Sequence, residues 1–362
     1  MSARSTFIGA SLSAAVLVLA VAGPAAAHDD DHGHGHGHDG HHATFQQVNL
    51  VADLPGVAAT TDPELVNPWG LSRGPNTPVW VSDNGTDVTT VYRTDVAGSP
   101  ATKALSVAIP GGAPTGQVFN DTTSFVVPGT GQPARFIFIG EDGDLSAWNG
   151  GASAVAVGHV DGAIYKGLAL AHAPSGPVLL AANFHDNRID MFDGSFAPVP
   201  TAPWMFHDRF LPKGYAPFNV AEINGQVFVT YAKQDAAGED DVAGQGHGFV
   251  DVYSDAGQFV QRFATRGALD SPWGLAVAPA SFGAFAGDLL IGNFGDGRIH
   301  AYDLSGHPRG TLRGTDGRPL AIEGLWGLLV GDAVAGGADS VWFSAGPGDE
   351  AHGLLGLLKS AP

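Results

Sequence analysis

Residues 271–303 read SPWGLAVAPASFGAFAGDLLIGNFGDGRIHAYD and contain the pattern that decides the fold. Three runs follow one another in this stretch. Pro272–Val277 opens on Pro-Trp-Gly, Asp288–Gly297 ends in a Gly-Asp-Gly turn, and Ile299–Asp303 ends in an aromatic residue and Asp. Short apolar, β-branched and aromatic runs that end in small or polar residues are typical of buried strands. The stretch therefore predicts three consecutive strands joined by turns.

The same unit recurs along the chain with a period of about 45 to 55 residues, which indicates a propeller or a solenoid. The first strand of each unit is predicted at 68–71, 124–127, 166–170, 217–220, 272–277 and 325–330. The second strand is predicted at 78–85, 135–143, 177–186, 226–233, 288–297 and 340–347. The third strand is predicted at 91–95, 145–148, 189–193, 250–255, 299–303 and 353–358. An outer fourth strand follows in five units, for example at Leu105–Ile109 and Gln258–Phe263.

The sixth unit has no fourth strand of its own before Pro362, and one strand-like run, Phe45–Val51, stands unassigned ahead of the first unit. We expect this run to complete the last blade, because closing a ring removes exposed sheet edges. A pair of β-sandwiches or an open solenoid accounts for neither the six units nor the spare strand. The predicted fold class is all-β: a six-bladed β-propeller closed by an N-terminal strand that completes the last blade.

Three segments are predicted along the chain. Residues 1–27 have the pattern of a signal peptide, with Arg4, the apolar run Phe7–Ala22 and the small residues Ala25–Ala27 at the cleavage site. A membrane-anchoring helix is the alternative, but the apolar run is shorter than the ~20 residues that a span needs. Residues 28–44 form a His-rich tract that is expected to be disordered, and residues 45–362 form the propeller. The predicted location is secreted, either extracellular or periplasmic, with no integral membrane segment once the signal is removed.

The His-rich tract, HDDDHGHGHGHDGHH at 28–42, has no apolar residue to bury and cannot fold alone. Imidazole is a common ligand of zinc, copper and nickel. The tract therefore predicts weak, unselective binding of Zn²⁺ or a similar ion, or else it is a solvated spacer. The candidate ligands are His32, His34, His36, His38, His41 and His42.

Composition limits the classes of partner. The formal net charge of −19 argues against nucleic acid and anionic membranes, which require basic patches. The chain has no cysteine, and its length is sufficient for a core that needs no disulfides. A monomer is expected, with an unidentified small molecule, glycan or protein as its partner.

Several motifs resemble those of an uncharacterised family of exported bacterial NHL-like six-bladed β-propeller proteins, some of which have a C-terminal sorting tag. The resemblance covers about residues 45 to 358 and is carried by Asn67–Leu71, Asn183–Asp190, Ser271–Leu275, Gly292–Gly297 and Gly346–Gly353, among others. It implies a propeller fold and export, and it implies no activity. This chain lacks the tag and has the His-rich tract instead.

In a propeller, the loops between the second and third strands gather on one face, around the central channel. The candidate ligand-binding residues on this channel face are Asp83, Asn84, Glu141, Asp142, Asn183, His185, Asp186, Lys233, Asn293 and Asp296. Such a ring of oxygens suits Ca²⁺, and His185 is the first candidate for proton transfer. The alternative is that Asp and Asn stand here because tight turns select them. We favour the turn-forming role.

Two further features concern the same face. Trp69, Trp273 and Trp326 recur at the start of first strands, where they either pack in the interior or form a floor for sugar rings; we favour packing. Lys233–Gly248 is a long acidic loop in the fourth unit, of the kind that forms lids or binding sites.

The sequence leaves two functions open. We favour a non-catalytic binding or scaffold propeller with a ligand or ion site on the channel face, because no nucleophile and base motif is recognisable. The alternative is a calcium- or other metal-dependent hydrolase or lactonase that uses the channel carboxylates. Whether the protein is an enzyme is left undecided.

Overall fold

The structure, a computed structural model, describes residues 44–95 and 100–361. The predicted signal peptide and the tail histidines from His32 to His42 lie outside the described residues, so both stay predictions. Within the described part, the regular structure consists of strands and of two single 3₁₀ turns at Asn84–Thr86 and Gly283–Phe285. No helix in these residues is long and apolar enough to cross a membrane.

The strands of the described residues are, in chain order, β1 (Thr44–Ala52), β2 (Thr60–Thr61), β3 (Pro68–Ser72), β4 (Val79–Asp83), β5 (Val88–Arg93), β6 (Thr102–Ala108), β7 (Pro114–Phe119), β8 (Phe136–Gly140), β9 (Asp144–Trp148), β10 (Val155–His159), β11 (Tyr165–Ala173), β12 (Gly176–Asn183), β13 (Arg188–Phe192), β14 (Pro198–Val199), β15 (Tyr215–Ile223), β16 (Gln226–Lys233), β17 (Gly248–Tyr253), β18 (Phe259–Thr265), β19 (Pro272–Val277), β20 (Leu289–Asn293), β21 (Ile299–Tyr302), β22 (Pro308–Thr311), β23 (Arg313–Gly314), β24 (Leu325–Val330), β25 (Ser340–Ala345) and β26 (Leu354–Ser360).

These strands form six antiparallel blades around one axis. Blades 1 to 5 are the four-stranded sheets β3–β6, β7–β10, β11–β14, β15–β18 and β19–β22. Blade 6 contains β24, β25 and β26, with β1 as its outer strand and the short strands β2 and β23 paired to β1. The first strand of each blade is the inner strand, and it contacts the inner strands of the two neighbouring blades around the whole ring. The prediction of an all-β six-bladed propeller is confirmed.

The N-terminal strand closes the ring as predicted. β1 runs antiparallel to β26 from Phe45 opposite Ser360 to Ala52 opposite Leu354, with one bulge. Phe45, Leu50 and Val51 are buried against the neighbouring strands. Just after β1, the Asp53 carboxylate accepts a hydrogen bond from the Gly353 backbone N–H at 2.9 Å and faces His352 Nδ1 at 2.8 Å. The first and last described strands are therefore fixed to one another at both ends of the pairing.

The prediction for the inner strand of blade 2 was wrong. It placed this strand at Ser124–Val127, whereas the inner strand is β7, Pro114–Phe119. Phe125 instead lies on the segment between β7 and β8, where it has a left-handed backbone (φ 60°) and a buried side chain in the core. The Pro-Thr-Gly-Gln start of β7 has neither the Trp of blades 1, 5 and 6 nor the Leu that follows the glycine in blades 1, 3, 5 and 6. The more apolar run Ser124–Val127 was therefore the stronger signal for a strand in the sequence.

All six inner strands start with the same irregularity, a shift of register against the second strand. Each inner strand has a motif at its start that corresponds to Pro68-Trp69-Gly70 of blade 1. The third residue of this motif is glycine in five blades and Asn219 in blade 4. A Cβ atom on Gly116 would lie 2.3 Å from the Leu168 backbone nitrogen, and one on Gly70 would lie 2.5 Å from the Thr115 carbonyl oxygen. Glycine is needed at these two positions because neighbouring inner strands approach too closely for a side chain.

The ring has two distinct faces. The inner strands begin at one face, and the same face holds the loops between second and third strands, since each inner strand's first residue pairs near the end of the second strand. We call this the entry face, and it is the channel face predicted from sequence. The inner strands end at the opposite face, which we call the exit face.

Candidate functional site

The axis of the ring is filled by aromatic side chains near the entry face. Trp69 stacks on Trp326 with ring centroids 3.5 Å apart, and Trp326 stacks on Phe294 at 3.9 Å. Trp273 packs edge-on against both tryptophans, and Phe218 packs beside Trp326. We call these residues, with Phe184, the axial aromatic cluster. Its three tryptophans are buried, so they have the packing role that the sequence favoured and form no exposed floor.

Two blades depart from this aromatic pattern, and one of them does so with a charged residue. The second residue of the inner-strand motif is Trp in blades 1, 5 and 6, Phe218 in blade 4 and Thr115 in blade 2, but it is Lys166 in blade 3. The Lys166 side chain is only 3% exposed, and its ammonium lies 5.3 Å from the centre of the Trp69 ring. A cation–π contact of this kind stabilises a desolvated ammonium. The axial cluster thus has a single buried cation among the described residues that form it.

Two carboxylates from different blades hold the Lys166 ammonium. Nζ donates to Glu141 Oε1 at 2.6 Å and to Asp240 Oδ1 at 3.2 Å. Burial disfavours the charged form, but the negative charges of Glu141 and Asp240 outweigh that effect and raise the pKa of Lys166 above its usual value. Lys166 is therefore a fixed positive charge at the base of the entry face.

The network continues around the axis through neutral amides. Glu141 Oε2 accepts a hydrogen bond from Asn84 Nδ2 at 2.9 Å, and Asn84 Oδ1 faces Asn67 Nδ2 at 3.3 Å. Asn67 Nδ2 also donates to Glu350 Oε2 at 2.5 Å, while its own Oδ1 accepts from Trp326 Nε1 at 3.0 Å. Residues from blades 1, 2, 3, 4 and 6 are joined in one polar layer that lies on the axial aromatic cluster.

The acidity of Glu350, a member of this layer, is strongly altered by its surroundings. Burial raises its pKa to about 7, the Asn67 hydrogen bond opposes the rise, and the neighbouring charge of Glu141 adds to it. Near neutral pH the native protein therefore holds a proton on Glu350 that the unfolded chain releases.

The pH dependence of stability should show this proton. The native state keeps Glu350 protonated up to about pH 7, and the unfolded chain loses the proton from its ordinary pKa of 4.5. The resulting stabilisation is complete below pH 4.5 and is lost as the pH rises to about 7, by roughly 1 to 3 kcal/mol. We expect Glu350→Gln to flatten the free energy of unfolding over this interval in urea titrations at several pH values. Glu239→Gln, an exposed control, should retain the wild-type slope, and an equal slope in Glu350→Gln would contradict the assignment.

A cavity of about 620 Å³ opens on the entry face beside Lys166. Its polar lining is Glu141, Asp142, Lys166, His185, Glu239 and Asp240, and its remaining wall is Gly162–Ile164. The size is that of sites for small molecules. Since Lys166 and Glu141 are shared, the cavity and the polar layer form one candidate site.

The long loop predicted in blade 4 contributes directly to this cavity. It connects β16 and β17, brings Asp240 to the Lys166 ammonium of blade 3 and places Glu239 in the wall of the cavity. Gln234 Nε2 anchors the loop by donating to the Phe184 carbonyl at 2.7 Å. Asp235 organises its turn, accepting hydrogen bonds from the Glu239 and Asp240 backbone N–H groups. The loop is thus an ordered wall of the site.

The structure divides the residues predicted from sequence into two groups. Asn84 and Glu141 belong to the polar layer, and Asp142 and His185 line the cavity. The others form local contacts within their own turns or strands. Asp83 accepts from Thr90, Asn183 donates to Asp186 and Asp190, Asp186 pairs with Arg188, Asn293 donates to Asp296, and Lys233 is the half-buried last residue of β16. For this second group, the contacts favour the turn-forming alternative.

Sequence reasoning missed Lys166, the residue at the centre of the site. It was read as part of the apolar first strand 166–170, like its counterparts in the other units. The available signal was its alignment with Trp69, Trp273 and Trp326 at the second position of the motif. A charged residue at a position that is aromatic in four of the other five blades is a departure that packing does not explain.

The predicted channel calcium is not supported by a ligand cluster. Over residues 44–95 and 100–361, no group of three or more His, Cys, Asp or Glu side chains is arranged to hold a metal ion. Glu141 and Asp240, two carboxylates of the cavity, already share the Lys166 ammonium. The calcium site stays a prediction.

These features define a six-bladed β-propeller with a polar site over an aromatic axis. No family model matches the chain. It is 31% identical to "Uncharacterized protein R648" of Acanthamoeba polyphaga mimivirus over 326 residues, 85% of this chain and 78% of that one. It is also 31% identical to "Uncharacterized protein L690" of the same virus over 339 residues, 87% and 86% of the two chains. The chain belongs to the family of these viral proteins.

Two solved structures share the fold. An α-L-arabinanase of Penicillium chrysogenum in complex with arabinobiose superposes with a TM-score of 0.57 over 86% of this chain and 97% of that one, at 12% identity. A putative oxidoreductase (glucose dehydrogenase) of Thermus thermophilus gives a TM-score of 0.50 over 86% and 99%, at 14% identity. At such identities these similarities establish the propeller fold alone.

Proposed function

We propose that this chain is an exported binding propeller that holds a small polar molecule, glycans included, in the entry-face cavity over Lys166. The observation that carries the proposal is the position of the Lys166 ammonium, which is buried at an axial position that is aromatic in four other blades. The resemblance to exported bacterial NHL-like propellers and the signal-like N-terminus support export.

Lys166 carries a desolvation cost that the aromatic residues at the same position of other blades avoid, which is why it points to function. Removing an ammonium from water carries a penalty of several kcal/mol before its partners compensate it. A Trp or Phe at this position would extend the axial aromatic cluster, as it does in blades 1, 4, 5 and 6. A residue that is retained against this packing preference is expected to serve a ligand.

The lining of the cavity indicates the chemistry of the ligand. Asp142, Glu239 and Asp240 present acceptor oxygens, while Lys166 and His185 present nitrogen atoms. Acceptors and donors around one cavity suit a hydroxyl-rich or amide-bearing molecule, which donates and accepts at neighbouring atoms. A polyanion would meet the carboxylates of the wall and is disfavoured.

Binding can be tested by thermal melting in the presence of mono- and disaccharides, amino acids and short peptides. A ligand that binds only the native state raises the melting temperature. We expect at least one of these compounds to stabilise the wild-type protein and to lose tenfold or more in affinity in Lys166→Met. Lys213→Met, which removes an exposed lysine, is the matched control and should bind as the wild type does. A ligand that binds Lys166→Met with unchanged affinity would overturn the proposal.

The metal-dependent hydrolase or lactonase is the second candidate, because Glu141, Asp142, Glu239 and Asp240 surround one cavity. The two candidate functions can be distinguished by adding calcium or a chelator to a protein that begins at residue 44. Such a protein lacks the tail histidines, which therefore cannot bind the metal. The binding proposal expects no change in melting temperature with calcium. A calcium-dependent increase that is lost in Asp142→Asn would favour the hydrolase instead.

A further inference from the structure

A second cavity lies on the axis at the exit face. It has a volume of about 380 Å³ and is lined by residues of the inner strands of all six blades. Its walls combine polar side chains with apolar ones, among them Leu71, Leu170, Leu275 and Leu328. Trp273 lines it as well, so the axial aromatic cluster lies between this cavity and the entry-face site. The two sites are therefore separate.

Two buried polar atoms at this cavity have no hydrogen-bond partner among the described residues. Gln117 is 5% exposed, and its Nε2 donates to the Gly70 carbonyl at 2.6 Å while its Oε1 has no partner. Ser72 is 7% exposed, and its Oγ also has no partner. Both residues line the cavity. A buried polar atom without a partner is unfavourable to the fold, and a ligand with N–H groups would offset that cost.

Charged side chains from three blades stand at the mouth of the cavity. His172 Nδ1 faces Glu222 Oε2 at 2.9 Å, and its Nε2 faces Asp121 Oδ1 at 3.1 Å. Both ring nitrogens therefore donate, which requires a protonated imidazole. Two carboxylates against one imidazolium leave this group of charges net negative.

The remaining charge at the mouth is already neutralised. Arg73 lines the cavity and pairs with Asp332, and its Nε donates to the Val330 carbonyl at 3.0 Å. An incoming anion would therefore find no free cation among the described lining residues. An incoming cation is attracted by Asp121 and Glu222.

We propose that the exit-face cavity is a second binding site, specific for a small organic amine. The ammonium donates to Gln117 Oε1 and Ser72 Oγ, its apolar body packs on the leucines of the wall, and the carboxylates at the mouth attract its charge. The volume suits a ligand of one ring or a short chain. The proposal is independent of the entry-face function, because it shares no polar residue with that site.

The test uses three probes of one size and different charge: cyclohexylammonium, cyclohexanol and cyclohexanecarboxylate. Binding to the full chain is measured by calorimetry or by NMR titration at neutral pH. We expect the ammonium to bind at least tenfold more tightly than the alcohol and the carboxylate to bind least. Equal binding of ammonium and alcohol, or no binding of the ammonium at millimolar concentration, would overturn the proposal.

Variants locate the bound amine. Glu222→Gln should weaken the binding of cyclohexylammonium about threefold to tenfold. Ala221→Phe, a half-buried position at the mouth, should block the cavity and abolish binding. Asp316→Asn, which removes an exposed carboxylate elsewhere, and Lys166→Met at the other site should leave amine binding unchanged. Full binding by a folded Ala221→Phe protein would contradict the site, and loss of binding in Lys166→Met would contradict its independence.

Discussion

Removal of residues 1–52 is expected to abolish cooperative unfolding, whereas removal of residues 1–43 should leave it intact. The first deletion removes β1, which pairs along the whole length of β26 and buries Phe45, Leu50 and Val51. Burial of each such side chain contributes about 1.5 to 3 kcal/mol. Together they approach the total stability of a typical domain, about 5 to 15 kcal/mol.

The loss extends beyond those three side chains. Without β1, the edge of β26 is left with unpaired backbone groups, and such edges promote association between chains. Thermal melting followed by circular dichroism, together with the elution volume on a sizing column, checks the expectation. A sharp transition at the same temperature in both truncated proteins would mean that the ring does not depend on its N-terminal strand.

Trp326→Ala is expected to lower the free energy of unfolding by about 3 to 5 kcal/mol. Trp326 is 1% exposed and lies at the centre of the axial aromatic cluster, between Trp69 and Phe294. Its removal leaves a cavity on the axis and leaves Asn67 Oδ1 without the indole N–H that it accepts at 3.0 Å. Equilibrium unfolding in urea measures the effect.

The control for this variant is another tryptophan. Trp204 is 53% exposed on the segment between β14 and β15, so Trp204→Ala should change the free energy of unfolding by less than about 1 kcal/mol. Equal losses in the two variants would show that the axial aromatic cluster does not have the packing role derived from its stacking distances.

The repeat predicted the fold because each blade must present the same run of strands to its neighbours. Six copies of the second strand and the spare strand Phe45–Val51 were enough to predict a closed ring. Blade 2 was misassigned because Thr115 and Gln117 replace the Trp and Leu of the motif. The glycine of the motif is kept in blade 2 as Gly116. Glycine is required there because two blades approach each other closely, and a single sequence does not show that approach.

The candidate site was predicted less completely. The loops on the entry face were identified correctly, but Asp and Asn serve tight turns and ligands equally well, so Asp83 and Glu141 looked equivalent in the sequence. Only the structure shows that Asp83 accepts a hydrogen bond from Thr90, whereas Glu141 accepts one from Lys166. Lys166 itself depends on a partner, Asp240, that is 74 residues away in sequence. Sequence spacing does not report such contacts.

We propose that the charge of Lys166 serves a ligand and not the fold. The free energy of unfolding of Lys166→Met distinguishes these two roles. The partners Glu141 and Asp240 are 28% and 77% exposed and can be solvated by water, and Met can pack against Trp69. We expect the free energy of unfolding of Lys166→Met to lie within about 1 kcal/mol of the wild-type value, or above it. A loss of about 3 kcal/mol or more, as when a structural buried ion pair is broken, would contradict it.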